Sequence, residues 1–283
     1  MALFHNQATL SYNGAVTSSN IVTGEYRQAL TATKTAVTDT YTVGGTVTYV
    51  ISIVNTAATA VTGVTVTDNL GAYPFGTGQL VPLTYVDGSM RLFIDGVPQP
   101  APTVTAGDTL TVTGLTVPAQ GSAMLIYETE VNGYAPPAAG SEITNTASVA
   151  GTQQGAVTVT ETVTAESQVE LAIVKSMSPQ IVTENGQLTY TFVIRNSGSQ
   201  PADEADALSV TDTFDPILTD LAVTLDTAVM PKDIFYTYDI ATGVFTTAPG
   251  QITVPAATYT QDETTGTWSV IPGETTLTVT GTV

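Results

Sequence analysis

At roughly 150 residues per domain, a chain of 283 residues holds about two domains. It has no Cys, a single His at position 5, and 6 Lys plus Arg against 25 Asp plus Glu, a net charge of -19. These numbers exclude disulfides, zinc ribbons, thiol catalysis and a Ser-His-Asp triad within one chain, and they oppose binding to nucleic acid or anionic lipid.

The opening MALFHNQATLSYNG lacks the basic start and apolar run of a secretory signal. No later stretch approaches the about 18 apolar residues of a membrane helix. Thr makes up roughly a fifth of the chain, which favours strands over helices. Period-2 runs then follow in chain order: TVTYVISIV (46–54), GVTVTD (63–68), TLTVTGLTV (109–117), AMLIYETEV (123–131), QLTYTFVIR (187–195) and TTLTVTGTV (275–283). Asp87-Gly88, Asp95-Gly96 and Asn185-Gly186 read as hairpin turns between them, and Asn13-Gly14 reads as a turn. No window shows a 3.6-residue period, so the chain reads as all-β, and strands at spacings of about 8 to 12 residues favour sandwiches.

The chain also repeats itself. At an offset of 141, LTATKTAVTDTYTVGGTVTYVISIVNT (30–56) lies over LAIVKSMSPQIVTENGQLTYTFVIRNS (171–197), pairing Lys34 with Lys175, Gly45 with Gly186, Tyr49 with Tyr190 and Asn55 with Asn196. After a three-residue insertion, VTVTDNL (64–70) matches LSVTDTF (208–214). Copy one continues through a Pro/Gly loop into a last strand, EITNTASVAG (142–151), whereas copy two reaches Val283 in the strand equivalent to AMLIYETEV. The missing strand matches the other end of the chain: HNQATLSYNG (5–14) reads like TNTASVAG (144–151), with Asn6 at the place of Asn145. The match resumes at offset 141, with Gly14-Ala-Val-Thr17 against Gly155-Ala-Val-Thr158 and Val22-Thr-Gly-Glu25 against Val163-Thr-Ala-Glu166. Predicted boundaries are therefore a donor strand and linker at 1–29, a complete sandwich at 30–165, and a sandwich lacking its last strand at 166–283. An absent strand leaves unpaired backbone groups and uncovered core, a template for strand addition, and heterologous contacts that do not close into rings propagate as filaments.

Two of the three Lys occupy equivalent positions. Lys34 has the parity of Leu30, and Lys175 that of Leu171 and Ile173. Asp68 shares parity with Val64 and Val66, Asp212 with Leu208 and Val210, Asn145 with Ile143 and Val149, and Asn6 with Phe4 and Leu10. Each domain is thus expected to aim one Lys, one Asp and one Asn at its core. Burying the two charges is costly unless they pair or neutralise. Two outcomes are open: an ordinary ion pair capped by an Asn hydrogen bond, or attack of a neutral Lys amine on the Asn carboxamide, expelling ammonia under an Asp that keeps its proton.

The first-strand, GG-x-x-TY, VTD and ITNTASV motifs resemble the bacterial cell-surface repeat known as the domain of unknown function 11, in two copies over nearly the whole chain. The Lys, Asp, Asn trio resembles the self-formed isopeptide site of Gram-positive pilins and adhesins. That resemblance implies a Lys34 to Asn145 bond promoted by Asp68 within domain one. For domain two it implies a Lys175 to Asn6 bond between subunits, promoted by Asp212.

Other signals have plainer readings. The acidic run 202–215 lacks the spacing and glycine of a calcium loop and reads as a solvated loop. Trp268 with Tyr236, Tyr238 and Tyr259 offers a sugar platform, against which ordinary strand packing is the default. Arg27, Arg91 and Arg195 are scattered, consistent with surface ion pairs, and His5 beside Asn6 is expected to face solvent. No cofactor and no metal are expected, and no catalytic nucleophile or paired carboxylates point to an enzyme.

The sequence therefore predicts two tandem immunoglobulin-like β-sandwich domains with an N-terminal donor-strand arm. The expected function is a subunit that polymerises with itself, head to tail, into filaments outside the cell or on a cell or spore surface. Phe4, Asn6, Ala8, Leu10 and Tyr12 would fill the acceptor groove. The alternative is a monomeric adhesin or ligand-binding module with the arm folded back in cis.

Overall fold

The computed structural model describes residues 2–26, 28–152 and 155–283, so Arg27 lies outside the described residues. It divides into two compact units, the first comprising 1–132 with 143–163 and the second 133–142 with 164–283. The boundary differs from the predicted one at the Pro/Gly loop 133–142, which groups with unit 2, where the Trp268 amide donates to the Gly133 carbonyl.

Residues 2–26 form one β-hairpin. Strand β1 (Ala2–Asn6) pairs antiparallel with β4 (Val22–Tyr26), and β2 (Thr9–Tyr12) with β3 (Ala15–Ser18). The turn is Asn13-Gly14, with φ of 45° and 79°, the left-handed pair that a two-residue hairpin loop requires. Phe4 lies opposite Gly24, and its ring covers the space a Cβ there would fill. The predicted linker is thus a second arm strand: residues 15–26 have a partner in β1 and β2, and a paired backbone is better satisfied than a free linker.

Unit 1 continues through β5 (Leu30–Ala36), β6 (Thr40–Tyr41), β7 (Thr46–Asn55), β8 (Val61–Asp68), β9 (Tyr73–Phe75), β10 (Gly78–Leu80), β11 (Leu83–Tyr85), β12 (Arg91–Ile94), β13 (Val97–Gln99), β14 (Thr103–Ala106), β15 (Leu110–Val117), β16 (Ser122–Val131), β17 (Glu142–Ala150) and β18 (Val157–Ala165). One sheet runs β13-β12-β16-β7-β5 with β11 also on β16, and the other β14-β15-β8-β17-β18-β6. Burial alternates along the long strands. Val47, Tyr49, Ile51 and Ile53 of β7 face the same core as Val64 and Val66 of β8 and Ile143, Ala147 and Val149 of β17. The two sheets therefore make a β-sandwich. The repeated Asn55 is structural: its amide donates to the carbonyls of Thr59, Val117 and Pro118, tying a loop to the sandwich end. Asn196 holds the equivalent loop in unit 2 through the carbonyl of Gln200 and the amide of Gly198.

Asp87-Gly88 closes no hairpin, because β11 and β12 both pair with β16 and the turn is an excursion between them. Asp95-Gly96 does join a hairpin, β12 to β13. Asn185-Gly186 is a turn that leads into a strand without pairing two neighbours.

Unit 2 contains β19 (Leu171–Ser178), β20 (Gln187–Asn196), a 3-10 turn at Glu204–Asp206, β21 (Thr211–Thr213), β22 (Thr219–Leu225), β23 (Ala228–Val229), β24 (Tyr236–Asp239), β25 (Val244–Thr247), β26 (Thr258–Gln261), β27 (Trp268–Ile271) and β28 (Gly273–Thr282). One sheet runs β19-β20-β28-β22-β23 and is the counterpart of the first sheet of unit 1. The facing sheet has only β21-β25-β24, against six strands in unit 1. Where β8 pairs with β17 in unit 1, its equivalent β21 pairs with β25 and, among the described residues, has no strand on its other side.

The acidic run makes its own caps. The Asp203 side chain accepts from the Ala205 amide, and that of Asp206 from the Asp203 amide, so these carboxylates cap the start of a 3-10 turn. The aromatic quartet is split. Tyr236 is buried against Phe245 and Tyr238 bonds the backbone of Leu218, while Tyr259 and Trp268 sit on the separate β26–β27 hairpin, so they form no common platform. Arg195 pairs with Glu274 at 3.0 Å on the surface, and Arg91 donates to the Gly88 and Met90 carbonyls.

Candidate functional site: paired Lys-Asp centres and an open sheet face

In unit 1, Lys34 comes from β5 in one sheet and Asp68 from the end of β8 in the other, so their contact crosses the sandwich. The Nζ to Oδ2 distance is 2.5 Å, and both side chains are at most 1% exposed. The other Asp68 oxygen accepts from the Leu70 amide, and Oδ2 also accepts from the Tyr127 hydroxyl. Tyr127 lies opposite Tyr49 on the paired strands β16 and β7, with ring centroids 5.8 Å apart, and the Lys34 ammonium sits 4.8 Å from the Tyr49 ring.

Burial drives the Lys34 pKa from 10.5 down to about 8, a fall that the charge and hydrogen bond of Asp68 only partly offset. At neutral pH about one Lys34 in ten is then a neutral amine. The Tyr127 phenol is pushed well above its ordinary value, by burial first and then by the Asp68 charge.

Asn145 arrives from β17 with the predicted parity and is fully buried beside the Tyr49 and Tyr127 hydroxyls. Its nearest polar neighbours are those two hydroxyls, and neither its side-chain oxygen nor its nitrogen reaches good hydrogen-bond geometry with them. A buried carboxamide so weakly held calls for an explanation. An amine of lowered pKa, a carboxylate hydrogen-bonded to it and a weakly held carboxamide are the ingredients of acyl transfer from nitrogen to nitrogen. Tyr49 and Tyr127 went unassigned in the sequence, although Tyr49 and Tyr190 align in the repeat and carried the signal.

Unit 2 brings together only part of this set. Lys175 on β19 is ion-paired with Asp212 on β21 and lies 4.5 Å from the Tyr190 ring. The expectation of a buried Lys fails here, because the Lys175 side chain is 42% exposed and that of Asp212 18%. The cause is the uncovered face. Leu171, Ile173 and Met177 are 41%, 54% and 48% exposed, whereas Leu30 at the place of Leu171 is 1% exposed. Leu171, Ile173, Ile194, Leu208 and Val210 line an apolar depression of about 180 Å³ there. Val279 lies opposite Tyr190 where Tyr127 lies opposite Tyr49, so unit 2 has no phenol on its Asp.

Asn6 lies on the arm. It pairs with Val22 in the arm and is exposed, as are Phe4, Ala8, Leu10 and Tyr12. His5 is exposed and its Nδ1 is 2.9 Å from the Thr23 hydroxyl. No cluster of His, Asp or Glu able to hold a metal ion occurs among the described residues, and no helix there is long and apolar enough to cross a membrane.

No protein-family model matches the chain, and no curated protein matches it in sequence. Solved structures similar to it include the pilus backbone RrgB of Streptococcus pneumoniae, at 12% identity over 86% of this chain and 55% of that one, with a TM-score of 0.36. The major pilin subunit BcpA of Bacillus cereus is similar at 15% identity over 96% and 73%, with a TM-score of 0.35. The collagen adhesin of S. aureus is similar at 14% identity over 53% and 55%, with a TM-score of 0.31. The chain thus spans 55% of the length of that adhesin and of the pneumococcal backbone.

Proposed function

We propose that this protein is the subunit of a cell-surface or spore-surface filament, in which the arm of one molecule completes unit 2 of the next. The observation that carries the reading is the contrast between two copies of one domain. In unit 1 a strand bearing Ile143, Asn145, Ala147 and Val149 covers the Lys-Asp centre, with each of the four at most 2% exposed. In unit 2 that face is open, and Phe4, Asn6, Ala8 and Leu10 carry the matching sequence on an exposed arm. Covering Leu171, Ile173 and Met177 while burying Phe4 and Leu10 gains up to about 1.5–3 kcal/mol for each side chain taken fully out of water.

The same register brings Asn6 of the next subunit to Lys175 and Asp212, as Asn145 stands to Lys34 and Asp68. In each centre the Lys nitrogen, once it has given up its extra proton, attacks the Asn carboxamide carbon, a new N–C bond forms, and the old C–N bond breaks to release ammonia. Asp68 is hydrogen-bonded to the Lys34 amine, and Asp212 is ion-paired with Lys175, so each is the group placed to move the amine's protons. Lys34 to Asn145 would lock unit 1 internally, and Lys175 to Asn6 would lock each joint.

Intact-mass measurement tests the bonds: each one formed makes the chain lighter by about 17 Da. Deleting residues 1–14 tests the joint. The reading expects loss of assembly with unit 1 intact, and assembly that survives the deletion would reject it.

A further inference from the structure

The geometry points to donation of a whole hairpin rather than a single strand. Residues 2–26 of one molecule would enter unit 2 of the next as two strands, β1 with β2 in the place that β17 holds in unit 1, and β3 with β4 in the place of β18. This inference rests on the filament reading above and names what occupies the joint.

Three observations carry it. First, unit 2 is short by more than one strand. The second sheet of unit 1 continues from β8 through β17 and β18 to the edge strand β6, and none of the last three has a counterpart in unit 2 among the described residues. Second, the segment equivalent to β6 is present in sequence but unformed. Thr40–Tyr41 is a strand because it pairs with β18, whereas Ile181–Val182, 141 residues on, belongs to no strand, and Val182 is only half-buried where Tyr41 is 4% exposed. A strand supplied only at the β17 position would leave this segment without a neighbour.

Third, the arm is already folded as an antiparallel pair. Its match to β17 holds at an offset of 139 before the turn, Asn6 to Asn145, and its match to β18 at 141 after it, Val22 to Val163, so the arm reaches the second strand with two residues fewer in the turn. Val163 on β18 is 0% exposed in the unit 1 core, while Val22, its counterpart in sequence, is 56% exposed on the arm, and Gly24 packs under Phe4. A preformed hairpin adds its inner strand to β21 by a new ladder while keeping its own, so less backbone entropy is lost at the joint than in ordering a free segment. Its outer strand then offers the ladder on which Ile181–Val182 becomes an edge strand.

The absence of Cys makes the test clean. Pairs of full-length chains, each with one introduced Cys, are mixed under assembly conditions and oxidised, so that any mixed disulfide joins two molecules. Thr9→Cys against Thr211→Cys reports the inner strand, because Ser148 and Thr67, at their places in unit 1, are directly opposed on β17 and β8. Val182→Cys against Cys placed in turn at Asn20, Ile21, Val22, Thr23 and Gly24 reports the outer strand. Hairpin donation predicts mixed disulfides from the Thr9–Thr211 pair and from at least one outer-strand pair. A disulfide from Thr9 and Thr211 with none from the outer set overturns hairpin donation and leaves the donor strand standing. No mixed disulfide in either set overturns both.

Discussion

Lys34 is held in the folded chain at a pKa of about 8, below its ordinary 10.5. Between those values the unfolded chain binds the proton that the folded chain has released, so stability rises with pH across the window and is at its lowest below pH 8. An Asn145→Ala variant keeps the amine free, and its resistance to urea should climb from about pH 8 until the unfolded chain's tyrosines begin to ionise near their ordinary 10.0, which burial prevents for Tyr49 and Tyr127 in the folded chain; a flat profile below that point would contradict the assignment. In the same background Lys34→Met leaves Asp68 buried without its cation and should cost about 3–5 kcal/mol, and adding Asp68→Leu should recover most of it, both read by urea denaturation. The positions of Lys34, Asp68 and Asn145 were legible because strand parity and the repeat both fix which side of a strand a residue faces. What parity cannot give is reach across the sandwich. For that reason the Tyr127 hydroxyl on Asp68, which comes from a strand in the opposite sheet and has no partner in copy two, went unread.

At the scale of elements, the sandwich strands were readable from their alternation, and Asn13-Gly14 from its turn chemistry. The second arm strand was not, since Val22–Tyr26 holds a Gly and too few apolar residues to signal a strand alone, and it exists because the turn returns it to β1. Asp87-Gly88 misled for the converse reason: local turn chemistry is the same whether the flanking segments pair with each other or, as here, side by side with the ten-residue β16. The arm also separates folding from assembly. Leu10 is 60% exposed in the free chain, so Leu10→Asp should leave the melting temperature of unit 1 unchanged while abolishing filament growth measured by light scattering. Growth at the wild-type rate would show that the arm does not enter an apolar groove.

For the whole molecule, length and charge take on specific meanings. The described residues make one filled sandwich, one sandwich open on a face, and a two-stranded hairpin that the proposal uses to close it. A subunit of net charge -19 repels its copies, so assembly should be favoured once salt shortens the screening length from roughly 30 Å at 0.01 M to about 8 Å at 0.15 M. Negative-stain imaging of the purified full chain at that higher salt tests the central claim most directly. The account predicts unbranched filaments with two β-domains per repeat, and single two-domain particles at every concentration and temperature would contradict it.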